Sequence, residues 1–159
     1  CVGVALSLTL YDANDKIGEK VRIVQDVPVD VIQGAIVVVA DDCHDSGTTM
    51  SFALDYLAAM QPLKIVGVVA FWKERHKAAT TKHRVLYGSA ADGDAWIMFP
   101  WDVTKYGLTV DEMNTARVAL PGQEEDPRTA GKTKVSWQLF HNTITNVQDD
   151  LVSFLSGRS

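Results

Sequence analysis

The chain has 159 residues, 15 Lys and Arg against 20 Asp and Glu, and a formal net charge of −5. That length suits one domain with a hydrophobic core of ordinary size, and the acidic balance argues against a broad surface for nucleic acid or anionic membrane. The two cysteines, Cys1 and Cys43, cannot make a disulfide framework and suit a reducing compartment, so a cytoplasmic setting is expected, and no run approaches the roughly 18 apolar residues of a membrane span.

Residues 1–10 (CVGVALSLTL) are rich in Val, Leu and Thr and predict a mostly buried strand. The segment lacks the basic region of a signal peptide and is entered without a lead-in, so an upstream piece is expected to be missing. Residues 11–20 are polar and read as a loop. Residues 21–27 alternate apolar and polar side chains, as in a half-buried strand, and 30–34 form a short turn. Residues 35–40 (AIVVVA) are an unbroken apolar run, the pattern of a strand covered on both faces. A polar loop follows at 41–49 (DDCHDSGTT). Then Met50, Ala53, Leu54, Leu57 and Met60 recur at helical spacing, closed by Gln61 and Pro62. Residues 65–72 (IVGVVAFW) predict a second buried strand. Strand, helix and strand in this order predict a βαβ unit with parallel strands and an α/β fold.

Residues 73–84 are basic and read as a loop or short helix. A strand at 95–99 is stopped by Pro100, a short helix is expected over 111–120, and 121–134 is a polar, Pro- and Gly-containing connector. Leu139, Phe140, Ile144, Val147, Leu151, Val152 and Leu155 space out an amphipathic helix over 137–155. His44, His76, His83 and His141 show no metal-ligand spacing and read as loop or surface residues, and Cys43 reads as a small buried side chain rather than a nucleophile.

The loop at 41–49 carries the most chemistry. A buried strand runs into a polar loop that opens a helix, and ligands of α/β sheets sit at the carboxyl ends of strands. Ser46, Gly47, Thr48 and Thr49 offer hydroxyls, backbone amides and a helix N-terminus, a setting that favours phosphate. Asp41 and Asp42 would repel that phosphate unless their charge is used, on ribose hydroxyls or on Mg²⁺. The loop therefore predicts a phosphorylated sugar, and it is not a Walker loop. A plainer reading is an acidic loop that caps a helix through Ser46 or Asp45.

Val37 to Thr49 resembles the motif of the type I phosphoribosyltransferases: four apolar residues, two acids, and a loop ending in T/S-G-x-T. The resemblance implies a mostly parallel sheet flanked by helices, with a small hood or C-terminal extension. It implies that Asp41 and Asp42 bind the ribose hydroxyls of phosphoribosyl pyrophosphate (PRPP) and that Asp45, Ser46, Gly47, Thr48 and Thr49 hold its 5′-phosphate. In 6-oxopurine members the residue before the T/S-G is Asp, placed to exchange the proton on purine N7; adenine members usually carry Ala. Asp45 stands there and is implied to be catalytic.

Residues 94–102 (DAWIMFPWD) read by themselves as a strand with aromatic core residues. They also resemble the W-I-x-x-P-W-D stretch of bacterial xanthine–guanine phosphoribosyltransferases. By that resemblance Trp96 stacks on the purine, Ile97 reads its edge through the main chain, and Asp102 lies near Mg²⁺ and pyrophosphate, with Asp41 and Asp42 as further metal candidates. Lys73, just after the strand at 65–72, is implied to donate to purine O6. Arg75 and Lys77 are weaker candidates, and a solvated basic loop is the bland alternative. A family loop that closes over the reacting ribose falls at 11–18, beginning with Tyr11 and Asp12.

The implied reaction joins a 6-oxopurine (hypoxanthine, xanthine or guanine) to PRPP, with Mg²⁺ as cofactor, giving a nucleoside 5′-monophosphate and pyrophosphate in purine salvage. The resemblance covers roughly residues 2–105, so 1–105 is expected to be the core and 106–159 a hood or extension. Nothing before Cys1 supplies the family's upstream strand and pyrophosphate loop. Either that segment exists in the natural gene, or the chain is a non-catalytic, nucleotide-binding regulatory member. An orotate- or uracil-type PRPP enzyme is a further alternative. A homo-oligomer, dimer or tetramer, is expected.

Overall fold

Three strands rich in Val, Ile and Ala build the central sheet of the computed structural model, which describes residues 2–11, 17–74, 82–114 and 126–157. In chain order, β1 is Ser7–Tyr11, β2 is Ile17–Gln25, α1 is the short turn Val29–Ile32, β3 is Ile36–His44, α2 is Thr48–Ala58, β4 is Lys64–Lys73 and β5 is Val85–Ala91. β4 lies between β3 and β5 and pairs with both in parallel, from Ile36 opposite Lys64 to His44 opposite Trp72 and from Gly67 opposite Val85 to Lys73 opposite Ala91. The expected βαβ unit is present as β3–α2–β4.

Period-two alternation along β4 sends its side chains to two helical layers. Ile65 and Val69 pack with Met50 and Leu54 of α2. Val66 and Val68 pack with Leu86 and with Val147, Leu151 and Phe154 of the long helix at Trp137–Leu155. That helix has the bounds its periodicity predicts, and the hydroxyl of Ser136 caps it by accepting the amide of Leu139 at 3.1 Å.

Several expectations at the element level do not hold. The strand covered on both faces is β4, not the 35–40 run: β3 is a sheet edge, and Val38 remains 41 % exposed. Residues 1–10 are not one buried strand. Residues 2–5 are exposed, and β1 pairs with β2 as an antiparallel hairpin outside the parallel sheet, so its apolar composition does not bring full burial. Strand β5 falls within a stretch that has no strong periodicity, because Gly88 and small residues replace bulky ones. The helix backbone at Thr143 comes so close to Gly88 that a Cβ there would sit 1.9 Å from its carbonyl oxygen.

A second small sheet pairs β6, Trp96–Met98, in parallel with β7, Lys132–Lys134, a strand inside the expected connector. Ile97, Phe99 and Val135 pack against Ala70 and Phe71 and tie this sheet to the carboxyl end of β4. Between the two strands lie a 3-10 turn at Pro100–Thr104 and α3, Val110–Asn114; α4 is Trp137–Leu155. The expected helix over 111–120 is described only as far as Asn114. Arg128 draws this region together, donating to the Gly107 carbonyl at 2.7 Å and pairing with Glu112 and Asp126 at 2.8 Å each. The guanidinium holds both carboxyls down to about 2.

Candidate active site

The loop that sequence spacing singles out starts later than expected. Asp41, Asp42 and Cys43 are still strand, because β4 offers backbone partners as far as Trp72. The loop proper turns at Gly47, which adopts φ +76°, a left-handed conformation that glycine takes without steric penalty. Gly47 is the N-cap of α2 and has no side chain to cap it with. The Ser46 hydroxyl lies 3.0 Å from that of Thr48 and accepts the Thr48 amide at 3.4 Å, so Ser46 serves the first turn of the helix from one residue upstream of the N-cap, as the plainer reading of the loop expects. The first-turn amides of α2 face this loop, the setting in which a helix N-terminus receives an anion.

Charge accumulates at the end of β3. The Asp42 amide donates to Asp41 Oδ1 at 2.9 Å. Burial raises the Asp41 carboxyl above its usual range, against the pull of that hydrogen bond and of His44. Asp42 is pushed up to about 6, by burial first, then by the negative charge of Asp41, with Asp102 adding to it. Asp102 is thus within electrostatic reach of Asp42, although 60 residues separate them in sequence. Its own carboxylate accepts the Phe99 amide at 3.0 Å and closes the 3-10 turn. Among the described residues no three ligand-type side chains converge as a ready-made metal cage. Mg²⁺ typically takes one or two protein carboxylates and draws its other oxygens from water and substrate phosphates. An acid pair under like-charge repulsion fits such a cation.

Lys73 ends β4 beside this loop. It is only 8 % exposed, and its Nζ lies 3.2 Å from Asp45 Oδ2. Two residues chosen from different stretches of sequence therefore meet. Burial pushes the Cys43 thiol up to about 11 despite the Lys73 ammonium nearby, which suits an unreactive side chain. His44 is not a loop or surface residue. It is buried on β3 and stacks on Trp72, the ring centres 3.8 Å apart.

Trp96 is 54 % exposed on β6, whereas Ile97 next to it is buried against β4. The Trp96 indole N–H donates to the Tyr106 hydroxyl at 2.8 Å. Lys105 lies over both rings, 5.8 Å from the centre of Trp96 and 5.6 Å from that of Tyr106. The sequence reading did not single out Tyr106; its spacing from Trp96 has no helical or strand period, and only the 3-10 turn brings the two together.

Asp41 and Thr49 also line a groove of about 290 Å³ that runs between β3, α2 and the residues of the first hairpin, with Leu6, Leu8 and Leu57 on its wall. Asp12 and the rest of 12–16, and Arg75, His76 and Lys77, lie outside the described residues; Tyr11, Ile17 and Gly18 are strand ends of the β1–β2 hairpin.

A model of the family described as "Phosphoribosyl transferase domain" matches residues 5–106. No curated protein matches the chain. Among solved structures, the chain is similar to a hypothetical protein from Neisseria gonorrhoeae with bound ppGpp, at 29 % identity over 61 % of this chain and 57 % of that one, TM-score 0.48. It is also similar to a hypoxanthine-guanine phosphoribosyltransferase from Bacillus anthracis, at 25 % identity over 59 % and 51 %, TM-score 0.45. A third is the hypoxanthine phosphoribosyltransferase from Trypanosoma cruzi in complex with IMP, at 18 % identity over 67 % and 51 %, TM-score 0.47. The chain spans little more than half the length of these structures.

Proposed function

The chain belongs to the phosphoribosyl transferase domain family, and on that premise we propose that it transfers the phosphoribosyl group of PRPP to a 6-oxopurine, as a salvage pentosyltransferase. The observation that carries the proposal is the Lys73–Asp45 pair, 3.2 Å apart at the mouth of the phosphate-type loop. An ammonium beside purine O6 stabilises the oxo form and repels the amino group of adenine. A carboxylate beside N7 accepts the proton that an oxopurine must lose.

In the proposed reaction purine N9 bonds to ribose C1′, the bond from C1′ to the pyrophosphate oxygen breaks, and Asp45 takes the N7 proton. Asp41 and Asp42 receive the ribose hydroxyls. Ser46, Gly47, Thr48 and Thr49 hold the 5′-phosphate through hydroxyls and amides. Trp96 supplies a flat surface for the base, and the main chain at Ile97 reads its edge. Mg²⁺, when bound, would neutralise the leaving pyrophosphate, with Asp41, Asp42 and Asp102 as the side chains nearest such a role. Holding phosphate, ribose and base in line supplies much of the rate.

Pyrophosphate release from PRPP and Mg²⁺ with hypoxanthine, guanine, xanthine and adenine in turn tests the proposal. Turnover with one or more oxopurines and none with adenine is expected. Turnover with adenine alone overturns the assignment of Asp45. PRPP binding without turnover favours the regulatory, nucleotide-binding alternative.

A further inference from the structure

We propose that Tyr106 is a positioning residue for the base: its hydroxyl fixes the plane of the Trp96 indole on which the purine stacks. The proposal rests on the base-binding role given to Trp96 above and adds a residue to it.

An exposed tryptophan is a poor platform when its ring is free to turn. Fixing a mobile side chain on binding costs roughly 0.5–1.5 kcal/mol. Here the indole N–H donates to Tyr106 Oη at 2.8 Å, which orients the ring before a ligand arrives. Tyr106 is itself held on a rigid support. Its amide donates to the Asp102 carbonyl at 3.3 Å, and the Leu108 amide to the Val103 carbonyl at 2.8 Å. Its ring rests on the cluster of Met98, Leu108 and Met113. Gly107 turns the chain at φ +62°, and its carbonyl is anchored by Arg128. Lys105 and Lys132 lie over the Tyr106 ring, 5.6 and 5.4 Å from its centre, and Lys105 also lies over the indole. The 3-10 turn just before Tyr106 is closed by the Asp102 carboxylate. One short segment therefore aims the stacking surface.

The test is calorimetric binding of GMP, and separately of PRPP with Mg²⁺, to the full chain and to Tyr106→Phe, Trp96→Phe, their double variant and Trp96→Ala. Tyr106→Phe keeps the packing and removes only the acceptor. It is expected to weaken GMP about fivefold, the worth of one hydrogen bond, and to leave PRPP binding unchanged. In the Trp96→Phe background, where no indole N–H remains, it should have no further effect. Equal losses for both ligands, or losses that simply add in the double variant, overturn the proposal. If Trp96→Ala weakens GMP but Tyr106→Phe does not, the positioning role alone fails. If Trp96→Ala leaves GMP unchanged, or the parent chain binds neither ligand, the base-stacking reading fails and takes this proposal with it.

Discussion

Lys73 and Asp45 form an ion pair of unequal burial: the lysine side chain is 10 % exposed and the aspartate side chain 52 %. Removing either partner therefore has different consequences. Lys73→Met leaves a carboxylate that water can solvate, whereas Asp45→Ala leaves a buried ammonium without that carboxylate. Asp45→Ala is expected to lower the unfolding midpoint in urea clearly more than Lys73→Met. Equal shifts would show that the unequal burial does not decide the cost, and no shift in either variant would show that the pair contributes nothing to the fold.

The same two residues separate in function. Asp45→Asn keeps the shape and removes the proposed base, and on the proposed mechanism is expected to cut turnover about 100-fold or more while PRPP affinity changes little. Lys73→Met should raise the KM for guanine and relax the exclusion of adenine. Steady-state kinetics with each purine measures both, and parallel losses of PRPP affinity in Asp45→Asn would make that residue structural.

Asp42 gives a pH dependence with a definite sign. The folded protein raises its carboxyl from 3.8 to about 6, so folding favours its neutral form. Its contribution to stability is fully present below pH 3.8 and is lost as pH rises to 6 and beyond. Asn cannot ionise, so Asp42→Asn should raise Tm at pH 7.5 and leave it almost unchanged at pH 4. Thermal unfolding at the two pH values checks this, and an equal gain at both would mean that charge is not the cause.

Binding should follow the opposite trend. In the proposed role of Asp42, the ionised acid is the form that would accept ribose hydroxyls or face a cation. As pH falls from 7 to 5 the fraction of ionised Asp42 drops about tenfold, so PRPP–Mg²⁺ affinity should weaken by a similar factor. In Asp42→Asn the affinity should be weaker and its fall over this range smaller, the remainder belonging to the ligand's phosphate and to Asp41.

Gly88→Ala should destabilise the chain by about 3 kcal/mol, at the upper end of overpacking effects, because the added methyl meets helix backbone at Thr143 rather than a movable side chain. Chemical denaturation measures it directly. A loss under about 0.5 kcal/mol would show that α4 can move away from β5 freely.

Much of this arrangement is legible in sequence where local chemistry and tertiary setting agree. The βαβ unit and α4 follow from hydrophobic spacing, and the turn at Gly47 that opens α2 follows from the polar run after the 35–40 strand. Strand β5 escapes because its identity lies in a close helix contact at Gly88, not in bulk or periodicity. β3 runs past the polar boundary at Asp41 because pairing with β4 outweighs the loop-like character of Asp41, Asp42 and Cys43. The Asp42–Asp102 and Trp96–Tyr106 relationships are tertiary. The first joins two separate stretches, and the second depends on an irregular turn that no simple period encodes.

β4 is the axis of the molecule: helices lie on both of its faces, strands on both of its edges, and Lys73 is its last residue. Apart from its pair with Asp45, such a residue stands where the strand puts it. Any change that tilts the strand, in either helical layer, is transmitted to the tip of the lysine. If Lys73 reads the base as proposed, recognition and folding share one mutational fate, and core substitutions far from the loop should erode base selectivity in step with the loss of stability.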